Sequence, residues 1–240
     1  MTDLGADIVF HAFGGIAVTN SMLTGSLVAL VMLAAAAALR LSLNVWPSGL
    51  QVAAELFIET WQTLADSAGG VRARRFVPLV GSAFLFILFH NWFGALPLIY
   101  LKTINPAGES VDIFRSSTSD LNFTAALALM IVVLVEVMEI RAVGFPRYLK
   151  GLVIPNPLRW LETLVRPLSL AFRLFGSIFA GHVLVSTMLA IAPLFLFPFL
   201  VLEIFMGFIQ AVIFAVIALI FLTIATAHDP AGPEGSVAAR

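Results

Sequence analysis

The sequence contains no cysteine. That excludes disulfides and thiolate metal sites. Charge is nearly as scarce: Asp, Glu, Lys and Arg make up 11% of the 240 residues, and the formal net charge is −1. No Lys/Arg cluster is long enough to line a polyanion groove, so no nucleic-acid partner is expected. The four histidines are scattered and fall in no ligand-spaced motif, which argues against a metal centre. No cofactor is expected. The first 20 residues hold no Lys or Arg. Secretory signals and organellar presequences need basic residues, so the first apolar run is expected to be a retained span. No internal repeat is visible, so the inverted-repeat pattern of many secondary transporters is missing as well.

What is present is apolar. Hydrophobic residues make up 60% of the chain, and the mean hydropathy is +1.03. No soluble domain of this size needs so much apolar surface. The expectation is an all-α polytopic membrane protein, a single membrane domain over residues 1–240. Five hydrophobic spans are expected, at Ser21–Leu39, Phe76–Leu101, Asp120–Val143, Leu158–Ile191 and Phe195–Ala227. Between the first two, residues 50–66 read differently. Leu50, Ala53, Phe57, Trp61 and Leu64 recur at helical spacing, and Gln51, Glu55, Glu59, Gln62 and Asp66 fill the other face. That is an amphipathic helix for the membrane interface or a partner. Residues 228–240 read as a frayed tail.

Basic residues orient the spans. Those flanking the spans lie mostly on one side: Arg40, Arg72, Arg74, Arg75, Arg141, Arg147, Lys150, Arg159 and Arg240 oppose Lys102 and Arg115. The bias places the N-terminus outside and the C-terminus inside, which fits an odd number of spans. The last two spans exceed what a hydrocarbon core of about 30 Å requires at about 1.5 Å per residue. They must tilt, bend or begin outside the bilayer.

Arg173 sits in this long apolar tract. Between Pro167 and Ala227 only Arg173 and Glu203 carry full charges, with His182 between them. A guanidinium keeps its proton at any physiological pH, and holding it at bilayer depth costs several kcal/mol, by contested figures of ~2.5 to 17. Such a charge marks a transport path, or snorkels to a headgroup layer. If the two spans form an antiparallel hairpin turning near Ala192-Pro193, facing residues have position numbers of nearly constant sum. Arg173 with Gln210, and His182 with Glu203, meet that condition. One level then holds a permanent cation and an amide. The other holds an imidazole and a carboxylate that can exchange protons near neutral pH. This suits a proton path ending at an electrostatic barrier. The alternative for His182 and Glu203 is a structural buried pair, and for Gln210 a helix-linking amide.

The run Arg166-Pro-Leu-Ser-Leu-Ala-Phe-Arg-Leu-Phe-Gly176, followed by Ala180-Gly181-His182, resembles the signature of subunit a of F-type ATP synthases. Gln210-Ala-Val-Ile-Phe214, Asp120-Leu121-Asn122 and the aromatic, Pro-rich end of the second span are similar to the family's matching stretches. The resemblance covers spans two to five and implies a stator subunit that does no bond chemistry itself. It implies as partners a ring of c subunits, the b subunits of a peripheral stalk, the rest of the synthase and the lipid bilayer. A bacterial plasma membrane is the implied location. By resemblance, Arg173 is the essential arginine between two offset half-channels. It attracts each ring carboxylate in its ionised form and blocks direct leak. His182 and Glu203 line the outward half-channel, and Gln210 faces Arg173.

Two departures from the family pattern stand out. Many bacterial members have Glu where His182 stands and His where Glu203 stands. The position four after the arginine is often Asn and here is Ser177. A hydroxyl can still bind water or the arginine, so Ser177 is kept as a candidate, with Ser169 one turn before Arg173. Glu136 and Glu139 read as a wall of the inner half-channel or as a helix end at the inner interface near Arg141. His90 and Asn91 read as touching the outer path or as bridging helices. Asp120 and Asn122 read as guiding protons at the outer entrance, Asp120 equally as a helix N-cap. Two rival functions are a stand-alone channel or ion-coupled carrier, and an intramembrane hydrolase using Ser177 with His182. The second suffers from a five-residue spacing that does not bring the two side chains face to face. The exchangeable His182–Glu203 pair favours H⁺ over Na⁺ as the coupling ion.

Overall fold

The computed structural model describes residues 7–12, 16–41, 43, 49–94, 102–104, 106, 108, 110–113, 115–146, 148–149 and 158–227. Five helices in it are long and apolar enough to cross a membrane, so the chain is an all-α polytopic membrane protein. Two short antiparallel hairpins, which the sequence reading did not foresee, accompany the helices. The first pairs β1 (Ile8–Ala12) with β2 (Ile16–Thr19), and the second pairs β3 (Lys102–Ile104) with β4 (Ser110–Asp112). Strands of three to five residues are too short to show a period in a chain this apolar.

The helices are α1 (Asn20–Leu41), α2 (Gly49–Gly69), α3 (Val77–Gly94), α4 (Leu121–Val143), α5 (Leu158–Ile191) and α6 (Leu196–Ala225). The expected interfacial helix is α2, and it runs three residues further than its amphipathic pattern. The second span is α3. Residues 95–101, expected to complete it, and the tail 228–240 lie outside the described residues. Each boundary has a local cause. Gly70 and Gly144 adopt φ of 64° and 88°, left-handed values that glycine takes without penalty and that end a helix. After Gly70 a 3₁₀ turn, Gly70–Phe76, leads into α3. Another 3₁₀ turn, Pro193–Phe195, with proline in its first turn, separates α5 from α6. Pro167 lies inside α5; it removes one i→i−4 bond there.

The chain divides into two compact units. The first comprises Met1–Ala37, Leu85–Ala126 and Ala171–Val212. Its signature is a buried polar nexus. Asn20, Ser21, Thr24, His90, Asn91, the run Ser116–Ser119, Asp120 and Thr124 are all buried. Buried polar groups must find partners, and here they find one another. Ser21 Oγ donates to Asp120 Oδ2 at 2.8 Å, Ser117 Oγ to the Ser21 carbonyl at 2.8 Å, and the Arg115 backbone N–H to Thr24 Oγ1 at 3.2 Å.

The second unit comprises Ala38–Phe84, Leu127–Leu170 and Ile213–Arg240. An aromatic cluster organises it. Phe84 of α3 meets Phe57 at 5.8 Å and Trp61 at 5.4 Å between ring centroids, and Gly81 leaves the room that Phe57 occupies. Only part of the apolar stripe of α2 is therefore covered: Trp61 and Ala65 are buried, whereas Leu50 and Leu64 are exposed. The Arg166 guanidinium lies 4.7 Å from the ring centre of Phe221, a cation–π contact. Arg72 Nη1 donates to the Ala227 carbonyl at 3.1 Å.

Candidate functional site

The first unit brings together most of the polar residues singled out in the sequence. Arg173 lies on α5 and is exposed. Among the described residues its guanidinium meets no carboxylate within ion-pair distance. Its neighbours Ala171, Leu174 and Ile178 are buried, so the helix turns a packed stripe one way and the cation another. Ser177 does not reach the guanidinium. Its hydroxyl donates to the backbone carbonyls of Arg173 at 3.0 Å and Leu174 at 3.2 Å, a common use of serine in a membrane helix.

On α6, Glu203 and Gln210 are both buried, 7% and 6% exposed. They are seven residues apart and share a face with Gly207 between them. Glu203 packs against Gly181 of α5: a methyl group at Gly181 would lie 3.4 Å from Glu203 Cγ and 3.7 Å from Oε1. Gly181 and Glu203 meet the constant-sum condition for the hairpin, one residue from His182. His182 itself is helical, and its side chain lies outside the described ones. Gln210 Nε2 is buried without a hydrogen-bond partner among the described residues, and it makes no bond to Arg173.

Asp120 is the N-cap of α4. Its Oδ1 accepts the Asn122 backbone N–H at 2.9 Å and its Oδ2 accepts Ser21 Oγ. One oxygen is thus held by the cap and the other by α1, and the Asn122 side chain is exposed. His90 is fully buried between the rings of Phe86 and Phe123, at centroid distances of 4.1 and 5.1 Å, with Nδ1 2.6 Å from the Phe86 carbonyl. Its Nε2 faces Gly25.

The remaining candidates belong to the second unit. Ser169 is exposed on α5, and Glu136 and Glu139 are half-buried on α4. After α4 the chain reverses at Gly144, and Tyr148 folds back so that its hydroxyl donates to Glu136 Oε2 at 2.5 Å. Burial, reinforced by that carboxylate, pushes the Tyr148 phenol up to about 12. The phenol is therefore a donor at every physiological pH, and its bond to Glu136 weakens only as pH rises toward that value. If Glu136 serves this latch, Tyr148→Phe and Glu136→Gln should leave proton pumping per assembled complex close to wild type. A steep fall in Glu136→Gln alone would place the carboxylate in the ion path.

Gly207 and Thr118 were not singled out in the sequence, and of the two readings given for Asn91 the structure shows the bridge between helices. Asn91 Nδ2 donates to the Gly207 carbonyl at 2.9 Å, and Thr118 Oγ1 donates to Asn91 Oδ1 at 2.7 Å. A lone glycine inside an apolar helix, three residues from one polar side chain and four from another, is the signal that could have found this contact.

The sequence profile of the family described as ATP synthase A chain matches residues 20–223. The chain is 35% identical over 214 residues to the chloroplastic ATP synthase subunit a of Oedogonium cardiacum, covering 87% of this chain and 81% of that protein. It is 34% identical over 228 residues to ATP synthase subunit a of Mycobacterium leprae, covering 88% of each. With the chloroplastic subunit a of Stigeoclonium helveticum it shares 38% identity over 177 residues, 72% of this chain and 70% of that one.

Proposed function

The chain belongs to the ATP synthase subunit a family, and from that premise we propose that it is the stator proton channel of an F-type ATP synthase. It is a multi-pass membrane protein and a part of the synthase that conducts protons without catalysing bond chemistry. The carrying observation is Arg173, an obligate cation exposed on a membrane-length helix beside a helix that buries Glu203 and Gln210 on one face. In this reading the chain carries two offset half-channels that meet a rotating ring of c subunits on either side of Arg173. The ring supplies a mid-membrane carboxylate. Arg173 draws it in ionised, and as a fixed charge it bars protons from passing directly between half-channels. His182 and Glu203 line the outward half-channel and hand protons along it. Gln210 faces Arg173 across the hairpin. Ser169 and Ser177 are helix-packing serines. The N-terminus faces outside and the C-terminus the cytoplasm of a bacterial cell, with b subunits bracing the stator.

The Glu203–Gly181 contact supports the hairpin register on which these roles depend. Because the chain has no native cysteine, paired cysteines test it cleanly. Cysteines at 182 and 203 should cross-link readily, as should those at 173 and 210. The pair 173 and 203 should not, since the register would slip by about two turns. Efficient 173–203 linkage without a 182–203 product would reject the register.

The function itself is tested by purifying the complex through this chain and weighing it intact. The expected companion is a small membrane subunit present in many copies and bearing a carboxylate in mid-span. Isolation of the chain without any such subunit would favour a stand-alone channel or carrier.

A further inference from the structure

Consecutive residues of α3 grip α6. Asn91 Nδ2 donates to the Gly207 carbonyl at 2.9 Å, and Trp92 Nε1 donates to the Ile204 carbonyl at 3.1 Å. These carbonyls are three residues apart, so they lie on one side of α6. A helix carbonyl has a second acceptor site beyond its own i+4 bond; both donors use it. The approach is close enough to require glycine. A Cβ built on Gly207 would lie 2.9 Å from Asn91 Cβ.

The Asn91 amide is itself held. Thr118 Oγ1 donates to its Oδ1 at 2.7 Å, which turns Nδ2 toward Gly207. With its proton committed there, Thr118 accepts Ser116 Oγ at 2.8 Å. Asn91, Ser116 and Thr118 are all buried, so water does not compete and each lost bond leaves a stranded partner. Gly207 lies four residues after Glu203 and three before Gln210, on the face that both occupy.

We infer that Asn91, oriented by Thr118, is a positioning residue: it fixes the depth and rotation of α6 at Gly207, so that Glu203 stays against Gly181 and Gln210 stays turned inward. The inference rests on the proposed role of Glu203 and Gln210 for its effect on proton flow, but its geometry stands apart from that role. Trp92 steadies the same helix one turn nearer its start. Register is thereby set by a polar contact in a helix whose apolar faces could slide past their neighbours at little cost.

The test uses the assembled complex in native membranes. Cysteines at 181 and 203 report the register, and pumping per complex is measured separately without those cysteines. Asn91→Leu and Thr118→Val remove the donor and its lock with nearly unchanged shape. Both should lose most of the 181–203 product, with linkage moving to positions about one turn away. Pumping per complex should fall roughly tenfold, the factor that one unmade buried hydrogen bond is worth. Thr118→Ser keeps the hydroxyl and should restore both readouts. Gly207→Ala should shift the register in the same way, and where it blocks assembly the threonine pair decides. Unchanged 181–203 linkage in both Asn91→Leu and Thr118→Val overturns the inference. A shifted register with undiminished pumping upholds the clamp and removes Glu203 and Gln210 from the proton path.

Discussion

Arg173→Ala should reduce ATP synthesis and ATP-driven proton pumping to background in membranes carrying normal amounts of the complex. The reason is electrostatic. Each proton falling through the membrane potential releases about 2.3 kcal/mol per 100 mV, and that energy drives rotation only if protons cannot cross without riding the ring. In the proposed mechanism the guanidinium is the fixed positive charge that forbids the short route. Arg173 is exposed on α5 while the flanking residues Ala171 and Leu174 are buried, so its removal opens no core cavity and the complex should still assemble. Passive proton leak should rise in the same membranes. Lysine should recover little, because its compact ammonium can lose its proton when buried and cannot present a planar fork to a carboxylate. Coupled synthesis near the wild-type rate in Arg173→Ala would sink the stator reading.

The second large effect is expected at His182 and Glu203. Alanine at either position should slow pumping per assembled complex by about a hundredfold, the lower end of what a positioned proton-transfer group contributes. The double exchange His182→Glu with Glu203→His should recover part of the loss, because the proposed channel keeps one imidazole and one carboxylate. A pair with only a packing role predicts the opposite split: less complex, with normal turnover in what assembles. Pumping followed between about pH 6 and 9 separates the cases, since histidine titrates across that window. An unchanged pH profile with normal turnover in His182→Ala would take the pair out of the path.

Hydropathy alone gave the five spans, because a membrane helix must be long and apolar and must satisfy its backbone internally. The hairpin condition located Glu203 within one residue of its contact on α5, because an antiparallel pair of regular helices leaves little freedom once the turn is known. What stayed hidden was polar and non-local. Nothing in the run Ser116–Ser119 distinguishes a buried knot from a solvated loop, since serine and threonine are ordinary in both. The role of Gly207 was illegible for a related reason: a glycine declares that something comes close, not what. Asp120 shows the converse. Its pattern allowed two roles, and the Ser21 hydroxyl and Asn122 N–H occupy both its oxygens.

The Ser21–Asp120 bond joins residues 99 apart in sequence, and this has a bearing on biogenesis. When α1 first enters the bilayer during synthesis, the chain segment that will pair with the Ser21 hydroxyl and with Thr24 Oγ1 has not yet been made. The head of α1 must then wait at the hydrated surface or borrow a partner from the insertion machinery, since stranded polar groups are costly in lipid. Only after α3 has crossed and residues 115–120 have followed can that end of α1 sink into place. Docking of this end of α1 is thus a late event, and a chain truncated before Asp120 should leave the start of α1 open to protease.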